Sequence, residues 1–179
     1  MKFIPQVIPE IILIEPTIYQ DKRGYFFEAF RQDLFSQIVG HNVNFIQDNE
    51  SKSSKGVLRG LHYQVEPFTQ TKLIRVIKGS VLDVVVDIRR ESDTFGKHLS
   101  FKLTADNKNQ LFVPSGFAHG FVALSSTAIF SYKVDNYYSP EHERGIAYDD
   151  KDLAIDWQLP DEVLQLSDRD LNNPSISEL

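Results

Sequence analysis

The sequence predicts an all-β fold, a sandwich or barrel assembled from many short strands. Three observations point to it. Apolar residues alternate with polar ones over runs of four to eight residues, the period of a half-buried strand. Glycine, proline or small polar clusters separate these runs at Gly79, residues 94–96, residues 105–109, residues 114–116 and residues 125–127. Finally, almost no stretch carries the 3.6-residue periodicity of an amphipathic helix, so there is no βαβ pattern and no reason to expect a parallel sheet.

Taken in chain order, the predicted strands are "EIILIEP", "GYFFEAF", "VNFIQDN", "GVLRGLHYQ", "TKLIRVIKG", "VLDVVVDIRR", "KHLSFKLT", "NQLFVPSG", "HGFVALSS" and "TAIFSYKV". In the clearest run, Leu82, Val84, Val86 and Ile88 share one face, while Asp83, Val85 and Asp87 share the other. Helices are expected to be few and short. "RQDLFSQIVG" allows two turns, with Leu34, Phe35 and Ile38 on one side and Gly40 as a stop. "DDKDLAIDW" predicts one further helical turn with acidic residues at its start. The last fifteen residues read as a loop-like tail. No repeat or linker divides the chain, so one domain spanning 1–179 is expected.

The 179 residues carry a formal net charge of −6, which gives no overall basic field for nucleic acid or anionic membrane. Zero cysteines exclude disulfides and thiolate metal sites. The start "MKFIPQVIPE" lacks the long apolar core of a signal peptide, and the longest apolar run is broken by Asp83 and Asp87, far short of a membrane span. The expectation is a soluble, cytoplasmic protein with no nucleic-acid or membrane partner.

"GVLRGLHYQ" nevertheless places Arg59 and His62 in an apolar, strand-like run, which is costly unless those groups are partnered or used. Together with the closing Gly79, and with Pro114, Gly116 and His119 in "PSGFAHGF", it resembles the two signature motifs of the cupin superfamily. That resemblance implies a double-stranded β-helix, or jelly roll. Metal-binding cupins take two histidines and a glutamate from the first motif and a histidine from the second. Here the four positions read His62, Gln64, Lys72 and His119. A divalent cation is bound by neutral imidazoles and carboxylates. An ammonium in place of the carboxylate repels it, so no metal is expected, and the pocket suits a developing anion instead.

The resemblance then narrows. "DKRGYFFEAF", "QDNESKSSKGVLRGLHYQ", "QTKLIRVIKGSVLDVVVDIRRESDTFG", "PSGFAHGF", "YKVDNYYSPEHERGI" and "LSDRD" occur in the order seen in dTDP-4-dehydrorhamnose 3,5-epimerases and cover residues 21–170. Such enzymes invert C3 and C5 of a dTDP-linked 4-keto-6-deoxyhexose, without a cofactor, on the way to dTDP-L-rhamnose. Both carbons flank the C4 ketone, so each can lose its proton to give an enolate. The α-proton of a ketone lies roughly a dozen pK units above an imidazole, about 16 kcal/mol. No ordinary base closes that gap alone. The oxyanion must be stabilised, and a well-placed donor contributes about 3 kcal/mol. Protonation must come from the opposite face. The resemblance implies His62 as base, Asp170 as its orienting partner, Lys72 as oxyanion stabiliser and Tyr132 as proton donor.

For binding, it implies Arg23, Glu28, Gln47, Asp48, Asn49 and His119 on the nucleotide-sugar and Arg59 on phosphate. Tyr138 is implied to stack on thymine, and Glu143 to accept hydrogen bonds from the substrate. Arg169 stands where relatives commonly carry lysine; the charge survives and the geometry changes. If Asp170 is the partner of His62, the tail must fold back over the barrel mouth. The family also implies a homodimer in which an N-terminal strand crosses over, with "EIILIEP" the candidate. Three alternatives stand beside this reading: an epimerase of C3 or C5 alone, a metal-dependent cupin using His62 and His119, and a jelly roll that binds the sugar nucleotide without acting on it.

Overall fold

The computed structural model describes residues 1–179. Strands β1 (Lys2–Pro5) and β2 (Ile12–Glu15) form an antiparallel pair, followed by a small hairpin of β3 (Tyr19–Asp21) and β4 (Gly24–Phe26) and by helix α1 (Gln32–Val39). Then come β5 (Gln47–Ser54), β6 (Leu58–Gln64), β7 (Lys72–Lys78), β8 (Ser80–Asp87), β9 (His98–Thr104), β10 (Gln110–Val113), β11 (Phe117–Ala123), β12 (Thr127–Val134) and the short β13 (Glu143–Gly145). Two sheets result, ordered β1-β2-β10-β7-β12-β5 and β13-β6-β11-β8-β9. They pack as the predicted cupin-type jelly roll.

Between the sheets lies a core of Ile74, Val76, Leu111, Val113, Ala128 and Phe130 from one side, and Val81, Val85, Leu103, Phe117 and Phe121 from the other. Each sheet is also covered on its outside. Phe35 of α1, with Val43, packs on Ile12, Ile14, Leu73 and Phe112; burying one such phenyl ring contributes about 2–3 kcal/mol. Leu82, Val84, Val86, Ala118 and Val122 are covered by Ile146, Leu153, Trp157 and Ile176. This explains why β8 is buried on both faces: a sheet with cover on each side has no solvated face.

The structure departs from the sequence expectation at three places. Strand β5 begins at Gln47, not Val43, and continues through the polar "QDNESKSS". Only Phe35 of the three expected helix residues is buried, while Ile38 is exposed; Gly40 does end α1, in the left-handed conformation at φ 82°. The segment 149–157 forms turns rather than a helix. There Asp150 Oδ1 accepts the amides of Asp152 (2.8 Å) and Leu153 (3.0 Å), and Ala154 adopts a positive φ of 47°. Within the chain, β2 is hydrogen-bonded to β10.

The expected tail is a built part of the molecule. The Leu58 amide donates to Gln165 O and the Gln165 amide to Gly56 O (2.9 Å each), the Ala147 amide donates to Pro174 O (2.8 Å), and the Ile176 amide donates to buried Asp150 (2.7 Å). These bonds carry the 3₁₀ turn Asp170–Asn172 back against β6.

Candidate active site

A cavity of about 660 Å³ opens between the sheets and collects residues from both, together with the returning C-terminal segment. Strand β6 supplies Arg59 and His62. In a regular strand, residues three apart face opposite ways. Here the pairing of β6 with β11 slips between His119 and Phe121, and Gly60 takes φ 134° with its α-carbon face against Gly120. A Cβ at Gly60 would lie 2.4 Å from the Gly120 Cα. The glycine between Arg59 and His62 is therefore what allows both to line the cavity.

His62 is part-exposed to the cavity, and its Nε2 donates to Asp170 Oδ1 at 2.5 Å. Asp170 is 4% exposed and sits at the start of its 3₁₀ turn, where its own amide donates to Ser167 Oγ at 3.2 Å. Burial pushes its carboxyl up, but the hydrogen bond and charge of His62 outweigh this and hold it below the usual range. With Nε2 donating to Asp170, the lone pair of His62 is on Nδ1, 4.0 Å from Glu143 Oε1.

Lys72, on β7 of the facing sheet, is buried and donates to His62 O at 3.3 Å. Burial lowers its pKa to about 8, against the pull of Asp83 and Glu143. Tyr132, on β12 of that same sheet, is paired in register with Asn49 of β5; burial, with the charge of Glu143 adding to it, raises its phenol. His62 and Tyr132 thus reach one cavity from opposite sheets. At the mouth, Tyr138 donates to Glu143 Oε2 at 2.7 Å, and Arg169 also pairs with Glu143.

His119, on β11, bonds through Nε2 to Asp83 Oδ2 at 2.9 Å. Asp83 is fully buried. Reading along the sequence, it is a mere interruption of an apolar run; the signal available was a carboxylate at an inward position of a strand buried on both faces. Residues at the cupin ligand positions do not fit a divalent cation. Gln64 spends its amide on Phe68 O (2.6 Å) and Tyr137 O (3.2 Å) and its oxygen on the Ser139 amide (2.6 Å), and Lys72 is an ammonium.

The cavity brings together His62, Asp170, Lys72, Tyr132, Asn49, Arg59, His119, Tyr138, Glu143 and Arg169. Four expected binding residues are not among them. Gln47 is turned to Asn49 (2.8 Å) and the Tyr138 amide (3.2 Å). Asp48 points to the outer face of β5 and pairs with Lys133 at 2.6 Å, because successive strand residues alternate faces. Arg23 is folded onto Asp21 (2.6 Å) in the exposed β3–β4 hairpin, and Glu28 lies on the surface 3.9 Å from Arg31.

Comparison with known proteins identifies the family and the fold. The family model described as dTDP-4-dehydrorhamnose 3,5-epimerase matches residues 5–178. A dTDP-4-dehydrorhamnose 3,5-epimerase of Shigella flexneri is 51% identical over 172 residues, 96% of this chain and 94% of that protein. Among solved structures, a dTDP-6-deoxy-D-glucose-3,5-epimerase of Legionella pneumophila, in complex with dTDP-4-keto-L-rhamnose, superposes with a TM-score of 0.94 at 47% identity, covering 98% of this chain and 93% of that one. A 3′-monoepimerase of Streptomyces bikiniensis, bound to dTDP-quinovose, gives a TM-score of 0.89 at 35% identity over 97% of this chain and 87% of that one.

Proposed function

The chain belongs to the dTDP-4-dehydrorhamnose 3,5-epimerase family, and from that premise we propose how its own residues invert the two carbons. The substrate is dTDP-4-dehydro-6-deoxy-D-glucose and the product dTDP-4-dehydro-L-rhamnose. His62 Nδ1 takes the proton at C3 or C5; Asp170 fixes the tautomer and stabilises the imidazolium as it forms. The Lys72 ammonium meets the charge that grows on the C4 oxygen. Tyr132 returns a proton from the other side. The observation that carries this reading is the placement of base and acid on facing sheets of one cavity, since removal and return on the same face would restore the starting configuration.

Arg59 and Arg169 offer bidentate donors to the diphosphate, Tyr138 a platform for thymine, and Asn49, Glu143 and His119 polar contacts to the sugar. Arg23 and Glu28 enter the reading only through a second copy. The β3–β4 hairpin carries exposed Tyr19, Tyr25 and Phe26, with Arg23 at its turn, a surface suited to crossing into the partner of a homodimer. Since β2 is paired at home, this hairpin, rather than "EIILIEP", is the N-terminal element proposed to exchange. Mixing an Arg23→Ala variant with a His62→Asn variant, each inactive alone, then restores activity through hybrid dimers with one intact site. No recovery on mixing refutes the exchange. A cytoplasmic location completes the reading.

The assay of function is NMR of the product formed from dTDP-4-dehydro-6-deoxy-D-glucose. Inversion at both carbons is expected. Inversion at C3 alone would make the chain a mono-epimerase, as in the S. bikiniensis protein, and an unchanged substrate would leave only binding.

A further inference from the structure

One buried acid has no part in the reaction as set out above. Asp83 lies on the inner face of β8, fully buried, with Oδ2 bonded to His119 Nε2 (2.9 Å) and Oδ1 left without any partner. An orphaned carboxylate oxygen in a core is expensive and calls for a reason. Phe101 and Phe121 are its neighbours in register, so no backbone requirement explains it. Two groups respond to its charge: His119 beside it in the sheet, and Lys72 opposite. His119 Nδ1 makes no hydrogen bond within the chain, and the ring lines the cavity.

We propose that Asp83 is a positioning residue for the epimerisation: its carboxylate holds His119 with Nδ1 bare and turned to a hydroxyl of the bound sugar, and keeps Lys72 an ammonium. The inference rests on the proposed function above. Lys72 is buried, and in isolation burial strips a lysine of its proton. Of the groups that face it, Asp83 on β8 and Glu143 on β13 favour the ammonium. His62 on β6 and His119 on β11 are imidazoles, Tyr132 on β12 stays a phenol, and Arg59 on β6 is a permanent cation. Asp83 is thus the fully buried acid whose charge acts on Lys72 from the facing sheet, whereas Glu143 is shared with Tyr138 and Arg169 at the mouth.

The test is Asp83→Asn, which keeps the shape and removes the charge. With an opposite charge gone from its surroundings, Lys72 loses its proton earlier, and the alkaline limb of kcat moves to lower pH by about one unit. At pH 8 kcat falls about fivefold, with KM changed less than about threefold, while the deficit narrows as pH falls and both proteins carry the ammonium. Lys72→Arg removes the titrating group, so Asp83→Asn added to it displaces no limb. An alkaline limb that coincides with that of the parent, or a displacement that persists beside Lys72→Arg, overturns the proposal. A second readout needs no variant: ¹⁵N NMR of His119 at pH 7.5 is expected to show Nε2 protonated and Nδ1 bare, and a proton on Nδ1 overturns it. Activity of the unaltered enzyme, measured first, tests the underlying function separately.

Discussion

The molecule contains two histidine–carboxylate pairs of the same chemistry in unlike settings. His62–Asp170 joins strand β6 to a segment 108 residues away in sequence, at 2.5 Å, with the imidazole open to the cavity. His119–Asp83 joins two neighbouring strands of one sheet at 2.9 Å, with both side chains buried. In the proposed mechanism, exposure lets the first imidazole exchange a proton with substrate. Enclosure denies the second that freedom: burial holds His119 below the usual imidazole range and pushes Asp83 above the usual carboxylate range. One pair is arranged to move a proton, the other to hold its protons still.

The sharpest way to break that contrast is to remove the mobile proton acceptor. His62→Asn should lower kcat by about 10⁴-fold, read by NMR of the product, because the neighbouring carboxylate of Glu143 is engaged by Tyr138 and Arg169. Asp170→Asn keeps the imidazole but loses its orientation and charge partner, and a fall of about 10³-fold is expected. Tyr132→Phe removes the acid alone: inversion falls about 10²-fold, while exchange of the substrate α-protons with solvent suffers less. In the intact enzyme, kcat should decline above pH about 8 as Lys72 loses its proton, the ammonium being present below that pH and absent above it.

The smallest effect separates the pairs by sign. Asp170 has its folded pKa depressed, so its ionisation stabilises the fold above the ordinary carboxylate range, and that contribution is lost as pH falls through the lowered value. Asp83 has its folded pKa raised, chiefly by burial, so its ionised form opposes folding at neutral pH and the opposition disappears on acidification. Thermal melts at pH 7.5 should therefore move down for Asp170→Asn and up for Asp83→Asn, by about 2–4 °C for each kcal/mol in a chain of this size. Equal shifts of the same sign would erase the distinction. A stabilised but slower Asp83→Asn enzyme would mark Asp83 as a residue kept for activity at a cost in stability.

The two pairs also differed in how far the chain announced them. Apolar alternation located most strands, and the family motifs located His62, Lys72, Tyr132 and Asp170, although Asp170 lies in a segment with the local character of a loose tail. Its anchorage comes from distant contacts, Gln165 to β6 and Ile176 to Asp150, which leave no periodic mark. Asp83 escaped notice because period-two alternation records only which face a residue takes, not whether that face is wet. Strand β5 was displaced for a related reason: its inward residues line a polar cavity, so "QDNESKSS" lacks the apolar beat of a strand. Arg23 and Glu28 carry the family motif yet stand outside the cavity, Arg23 paired with Asp21 and Glu28 beside Arg31.

Solvent deuterium exchange on dTDP-4-dehydro-6-deoxy-D-glucose, followed by NMR, tests the central claim most directly. The account predicts label at both C3 and C5 with the unaltered enzyme and at neither with His62→Asn. Label entering at the parent rate in the His62 variant would contradict it, whatever else in the cavity remained in place.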